Sequence, residues 1–368
     1  MKNYCRIFLI FKFFIMNLIP AGSNNQTLSV SDLYQLLENK FKNKAVGYAF
    51  VISYKENFCT GSSGGFCRLQ QDDHPRVMSV FEKYNCASVS KLVSSAALLL
   101  LLYRKEGVGL NSLMWEYLPS HWTIGANIKT ITFKELLTHT SGFRTSARSY
   151  ANLKKLVKDG INSNDKNDSY YNNSNYSLLR LIIPKLAGYN ILSLKGMSEA
   201  NIATHEPAQA EAFANDYIDY CRKNIFNKLA SMPEMSCTES TIQPPLFYDI
   251  NDTTKTGRHM GDQRLNAGSG GWVMSTLQMA HLFRSIHHTE NIMPAALSKR
   301  MRDEHLGYGL EEIEGVTSYF KSGSENLDDR EYSSLTMGFD NGIQLDMMTT
   351  SHLGLKNLAW DAFREWYH

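Results

Sequence analysis

The chain has almost no surplus charge: 38 lysines and arginines stand against 36 aspartates and glutamates, for a net charge of +2. A balance this even supplies no broad basic surface, which argues against nucleic acid as a partner. Cysteine is scarce, with six residues at 5, 59, 67, 86, 221 and 237. That is too few for a disulfide scaffold in a chain of this size. Cys59 and Cys67 flank a Gly/Ser stretch and either pair, if the protein is exported, or remain free buried thiols. No set of histidines and cysteines has metal-ligand spacing, so neither a metal nor a cofactor is expected. Internal repeats are missing. So is an apolar run of the roughly 20 residues that span a bilayer. The run AALLLLL, 96–102, is apolar on every side and reads as part of a buried core helix, ended by Gly107 and Gly109.

What is present is an ordinary globular composition, 43% hydrophobic and 20% charged over 368 residues, enough for one large domain or two intertwined ones. The first residues, MKNYCRIFLIFKFFIMNLIPAGS, run from basic to apolar to small. This is the layout of a secretory signal peptide over 1–23, with a short membrane anchor as the alternative. Its removal takes away Lys2, Arg6 and Lys12, leaves a net charge of −1, and makes the expected location periplasmic or secreted.

Local patterns then outline the fold. Residues 31–41 (SDLYQLLENKF) have helical apolar spacing, and 45–55 (AVGYAFVISYK) read as a strand. GSSGG, 61–65, reads as a turn or loop. Thr132 and Glu135 fit a capping box opening a short helix that stops near Gly142. Residues 159–175 are crowded with Asn, Asp and Ser and read as a surface loop. Helical spacing returns over 176–186 and 276–286, while 190–265 yields few firm assignments. From Val316 onward three strand-like segments precede an amphipathic helix over 355–368. If the early and late strands share a sheet, the helical middle is an insertion that forms a second lobe. The lobes then divide as about 28–87 with 300–368, and about 88–299, within one domain over 24–368.

Three Ser-x-x-Lys pairs occur: Ser88/Lys91, Ser163/Lys166 and Ser318/Lys321. The second lies in the Asn-rich loop, where both side chains would be solvated. The third lies in a strand, where residues three apart face opposite sides. Only Ser88/Lys91 opens a helix, which stacks the two side chains one turn apart. A lysine so placed can take a proton from serine if burial or a second cation lowers its pKa. The plainer reading is a capping serine beside a snorkelling lysine.

Later segments tip that balance. LLTHTSG (136–142), YNNSNYSLL (171–179), AGSGGWVMSTLQMAHLF (267–283) and KSGS (321–324) follow in order. Together they resemble the hallmarks of the serine β-lactamase and penicillin-binding-protein superfamily, in its class C-like branch. The resemblance implies an α+β, β-lactamase/transpeptidase-like fold: an antiparallel sheet flanked by helices, with an inserted, mostly helical lobe. It makes Ser88 the acylated nucleophile and Lys91 either its base or the group that holds the base. Tyr171 becomes a proton-exchanging group whose phenolate Lys91 and Lys321 would favour. Asn173 becomes a partner of Lys91 and of a substrate amide, and Lys321 a clamp for Tyr171 and a substrate carboxylate. The N–H groups of Ser88 and Ser324 would form an oxyanion hole, with Ser322 and Gly323 completing the substrate-binding strand. Tyr-x-Asn has two registers here; Tyr171 is chosen because its distance to Tyr176-Ser-Leu-Leu matches the family pattern. His139 is taken as a structural helix-end residue. Asn172 and Ser322 depart from the commoner Ser and Thr.

Sequons fall at Asn25, Asn167, Asn172, Asn175 and Asn251. A glycan on Asn172 or Asn175 would obstruct the cleft, so those sites go unused or the chain is a bacterial exported protein. The expected partner is a small-molecule or peptidoglycan-type peptide substrate. The expected activity is a serine hydrolase of D-alanyl peptides, β-lactams or esters. The alternative is a catalytically retired scaffold that binds peptidoglycan fragments.

Overall fold

The computed structural model describes residues 18–20, 27–229 and 235–368. The expected leader lies outside these apart from residues 18–20, where β1 (Leu18–Pro20) pairs with β2 (Thr27–Ser29).

Apolar, β-branched and aromatic residues dominate three segments: β3 (Gly47–Tyr54), β10 (Arg330–Phe339) and β11 (Ile343–Thr349). Each is buried on both faces over most of its length, as strands in the middle of a covered sheet must be. With β4 (Asn57–Arg68), β5 (Arg76–Val77), β8 (Gly309–Ile313) and β9 (Val316–Leu327) they form a seven-stranded antiparallel sheet, ordered β5-β4-β3-β11-β10-β9-β8. The early strand β3 pairs with the late strand β11 in the register Val51↔Asp346, so the two ends of the chain share one sheet and the fold is α+β.

One face of the sheet is covered by α1 (Val30–Phe41) and α9 (Leu355–Tyr367). Their apolar stripes, including Leu33, Leu37, Phe41, Phe363 and Trp366, bury against Phe50, Ile52, Met337 and Leu345. The other face carries α7 (Thr276–His287), which packs on β3 and β11. This helix therefore belongs with the sheet, although it lies in the stretch expected in the helical lobe.

The helical part is built on α2 (Lys91–Arg104), in which every residue from Lys91 to Leu102 is buried. By length and composition Ala87–Arg104 could cross a bilayer, contrary to expectation, but 83% of it is buried inside the fold. Around it lie α3 (Phe133–Leu137), opened by the expected Thr132/Glu135 capping box, α4 (Tyr150–Asp159), α5 (Asn173–Leu186), α6 (Glu199–Asn224) and α8 (Ala295–Asp303). The unassigned stretch hides the 26-residue α6. Pro207 and a polar first half mask it, while Phe213, Tyr217 and Cys221 recur at helical spacing on its buried face.

Two further expectations are corrected. GSSGG is the middle of β4, paired with β3 from Gly47↔Gly65 to Val51↔Gly61. Glycine suits a strand where a neighbour closes in: a Cβ on Gly64 would stand 2.7 Å from the Tyr48 ring. Cys59 and Cys67 consequently sit eight residues apart on one extended strand, beyond disulfide reach. Both are free and buried, and burial pushes both thiols up to about 11. Lys166 is not solvated either; it binds Glu135 at 3.0 Å and the Thr130 carbonyl at 2.7 Å.

Asp346, on β11, is fully buried. Burial raises its carboxyl to about 7 from 3.8, against hydrogen bonds from Gln344 and Thr336 that lower it. A folded-state value above the unfolded one means that Asp346 favours folding below about 3.8 and loses that contribution as pH rises to about 7. Asp346→Asn should therefore flatten the fall in stability between pH 4 and 7, and raise stability at pH 8 by up to roughly 4 kcal/mol. Urea melts of both proteins across that range would measure it.

Candidate active site

The serine is presented by a turn pinned from several sides. β6 (Tyr84–Asn85) pairs with β7 (Val273–Met274), and Cys86 N–H donates to the Trp272 carbonyl at 2.9 Å. Asn85 N–H donates to buried Glu239, and Asn85 Oδ1 accepts from Ala87 N–H at 2.7 Å and from Tyr332 at 2.9 Å. These bonds hold Ala87 at φ +46°, a conformation an L-residue adopts only under constraint. A 3-10 turn over Ala87–Ser90 follows and leads directly into α2.

One helical turn on, Lys91 Nζ lies 2.8 Å from Ser88 Oγ. It also lies 2.8 Å from Asn173 Oδ1 and 2.6 Å from the Ser269 carbonyl. Asn173 is the first residue of α5, and the neighbouring Asn172 turns its side chain away to Phe143 and Ser174. The geometry thus selects the Tyr171/Asn173 register. Ser269 is a participant that the serine–lysine spacing could not reveal. Its carbonyl reaches Lys91 because Gly268 takes φ +101° in a gap where a Cβ would meet the Tyr176 carbonyl at 2.5 Å. The AGSGG run was the available signal.

Lys91 is fully buried and forms no ion pair with a carboxylate among the described residues; the more distant Glu325 only partly offsets the cations around it. Burial, and then the charges of Lys321 and Arg148, hold its pKa well below the ordinary lysine value. Burial also lowers Lys321, to about 8. Tyr171 exposes 53% of its surface at the cleft mouth, yet its hydroxyl points inward and donates to Ser88 Oγ at 2.6 Å. Both lysines lie over its ring, with Lys91 Nζ 5.0 Å and Lys321 Nζ 4.8 Å from the centroid. The expectation that these lysines favour the phenolate is not met. Desolvation of the hydroxyl end outweighs the other influences and raises the Tyr171 pKa, so the resting group is a neutral phenol.

Ser88, Tyr171, Asn173, Lys321, Ser322, Gly323 and Ser324 all line one cleft of about 780 Å³. Among the described residues no carboxylate lines it, while Arg148 and Lys356 join Lys321 on its walls. Ser324 stands on a free edge, because β8 ends opposite Phe320 and, among the described residues, no strand pairs with that edge of β9 beyond it, while β10 continues on the other side. Gly323 lets this strand approach the serine turn; a Cβ there would stand 2.7 Å from Ser88 N and 2.9 Å from the Cys86 carbonyl. His139 remains outside the proton exchange. Its Nδ1 accepts from Asn172 N–H and Asn175 Nδ2, and burial lowers its pKa to about 2. Asn172 and Asn175 are themselves buried, so neither can carry a glycan in the folded protein. Among the described residues no His, Cys, Asp or Glu cluster could hold a metal.

A serine between a buried lysine and a tyrosine, at the edge of an antiparallel sheet with an inserted helical lobe, defines the class of penicillin-binding-protein and β-lactamase folds. The Beta-lactamase family model matches residues 35–352, and the chain belongs to that family. Solved structures share the fold at low identity. A β-lactamase/D-alanine carboxypeptidase from Yersinia pestis, complexed with citrate, superposes with TM-score 0.67 at 16% identity, over 91% of this chain and 99% of that one. The D-amino acid amidase from Ochrobactrum anthropi gives 0.66 at 15%, over 91% and 98%. An octameric penicillin-binding protein homologue from Pyrococcus abyssi gives 0.65 at 17%, over 91% and 76%. No curated protein sequence matches significantly.

Gly323→Ala should push β9 away from Ser88 and slow acylation of the serine about 100-fold, because rate is this sensitive to displacement near 1 Å. Labelling kinetics with a fluorophosphonate probe, beside the melting temperature, would separate this from unfolding.

Proposed function

We propose that the protein is a serine hydrolase that cleaves an amide or ester through an acyl-enzyme, on substrates that carry a carboxylate near the scissile bond. The observation that carries this reading is the valence of Lys91. Two carbonyls, of Asn173 and Ser269, each take one N–H. In a neutral amine that leaves one lone pair, and Ser88 Oγ lies 2.8 Å away to meet it. Lys91 thus accepts the Ser88 proton as the oxygen attacks the carbonyl carbon. The developing oxyanion meets the N–H groups of Ser88 and Ser324. Tyr171, a neutral phenol, gives its proton to the leaving nitrogen or oxygen, and Lys91 restores it. Water then attacks the acyl carbonyl, the Ser88–acyl bond breaks, and Ser88 regains a proton.

Substrate class follows from charge. Lys321 is 92% buried by complement of its 8% exposure, and its ammonium has no hydrogen-bond or ionic partner among the described residues. A substrate carboxylate would supply one. The D-alanine carboxypeptidase and D-amino acid amidase among the structural neighbours support an amide beside a D-residue. A β-lactam is the second reading, since it offers the same carboxylate and a strained amide. A retired scaffold fits less well, because a buried lysine without a carboxylate is costly to keep unless it serves the serine. Export, supported by the leader layout of 1–23, is part of the same proposal.

Incubation with a penicillin, and separately with a nitrophenyl ester, should give an acyl adduct or turnover that Ser88→Ala abolishes; intact-mass measurement checks it. Absence of both in folded protein would overturn the reading. Tyr171→Phe should slow amide cleavage about 10²- to 10⁴-fold. The nitrophenyl ester, whose leaving group needs no proton, should lose far less. For a carboxylate-bearing substrate, kcat/KM should fall as pH rises through about 8 and Lys321 loses its charge. Lys321→Arg should remove that basic limb.

A further inference from the structure

The free edge of β9 is short at one end. From Lys321 on, no strand among the described residues pairs with its cleft-side edge, which offers backbone N–H and C=O groups to an extended substrate. At Glu325, one residue past Ser324, Glu325 Oε1 meets Arg148 NH2 at 2.6 Å. Arg148 comes from the helical lobe, just before Ser149, which caps α4. Its carbonyl is held by buried Arg180 at 3.0 Å, so its loop is anchored. The side chains of the pair keep only 33% and 18% exposure. The link therefore runs from the helical lobe to the sheet across the end of the cleft that Arg148 lines.

The cleft also has an outlet that neither Arg148 nor Glu325 lines. Thr138, Ser169 and His305 line both the catalytic cleft and an adjoining cavity of about 620 Å³. With a leaving-group carboxylate on Lys321 and the scissile carbonyl at Ser88 and Ser324, the acyl portion runs toward Glu325. This orientation rests on the function proposed above. Only about one residue of strand, roughly 3.3 Å, is then free for it before the ion pair.

We infer that Arg148 and Glu325 form a specificity-determining strap that limits the acyl portion to about one residue while leaving the leaving-group side unrestricted. Neither side chain takes part in bond making.

The test uses N-acetyl-D-alanyl thioesters of mercaptoacetate, extended on the acyl side by zero, one or two glycines, with kcat/KM read from thiol release. In the wild type kcat/KM should fall about tenfold from the shortest to the longest member. Arg148→Gln and Glu325→Gln should each abolish that fall. The exchange Arg148→Glu with Glu325→Arg should restore it, which loss of bulk alone would not do. A flat wild-type profile with turnover, a fall that persists in both single variants, or an exchange that stays flat overturns the strap alone. No turnover of any member, in protein shown folded by circular dichroism, overturns the acyl-enzyme reading and the strap with it.

Discussion

A fully buried lysine that forms no ion pair among the described residues is the constraint on which the rest of the site depends. An ammonium taken out of water and left without a counter-ion is strongly disfavoured, so Lys91 gives up its charge more readily than an exposed lysine. The amine still needs partners for its N–H groups, and Asn173 and the Ser269 carbonyl meet that need. What remains is a lone pair beside Ser88. Lys321, also over the Tyr171 ring, adds to the effect, since a second cation nearby further disfavours charge on Lys91.

That arrangement draws on almost every part of the chain. The serine turn is held by β6, by Glu239 and by Tyr332 of β10. The lysine belongs to α2, its amide partner to α5, its carbonyl partner to the glycine-rich segment before α7, and the second lysine to β9. Close approach does what longer side chains could not. Without a Cβ at Gly268 the carbonyl of Ser269 comes within 2.6 Å of Lys91, and without one at Gly323 the strand edge lies against the serine turn. The buried Asn172, Asn175 and Ser174 around them bond to Phe143, Ser141 and Ala147 in the segment between α3 and α4, which ties the start of α5 to that segment. Polar residues in this wall therefore act as fixed supports.

The parts legible in the sequence were those whose cause is local. The capping box at Thr132 and Glu135 closes as its spacing implies, α1, α7 and α9 follow their apolar periodicity, and β3, β9, β10 and β11 their β-rich composition. Failures came where a distant neighbour decides. GSSGG looks like a turn, but β3 supplies the backbone partners that make it a strand. The long α6 carries a proline and a polar first half, and only packing against α5 makes its buried face informative. Tyr171 seemed poised to ionise beside two lysines, yet the desolvation of its hydroxyl depends on how the cleft closes around it.

The sequence by itself determined the early strand β3, the late strands β9 to β11, the helices α1, α7 and α9, the one-turn stacking of Ser88 over Lys91, and, through four motifs in order, the family. These rest on backbone periodicity and short-range spacing, which no later contact changes. Only the tertiary structure decided that Lys91 is buried without an ion-pair partner among the described residues, that Ser269 contributes a carbonyl, and that Arg148 reaches Glu325 at the end of the cleft. Each of these joins residues from different elements, so their distances, and the solvent excluded between them, exist only once the two lobes have packed.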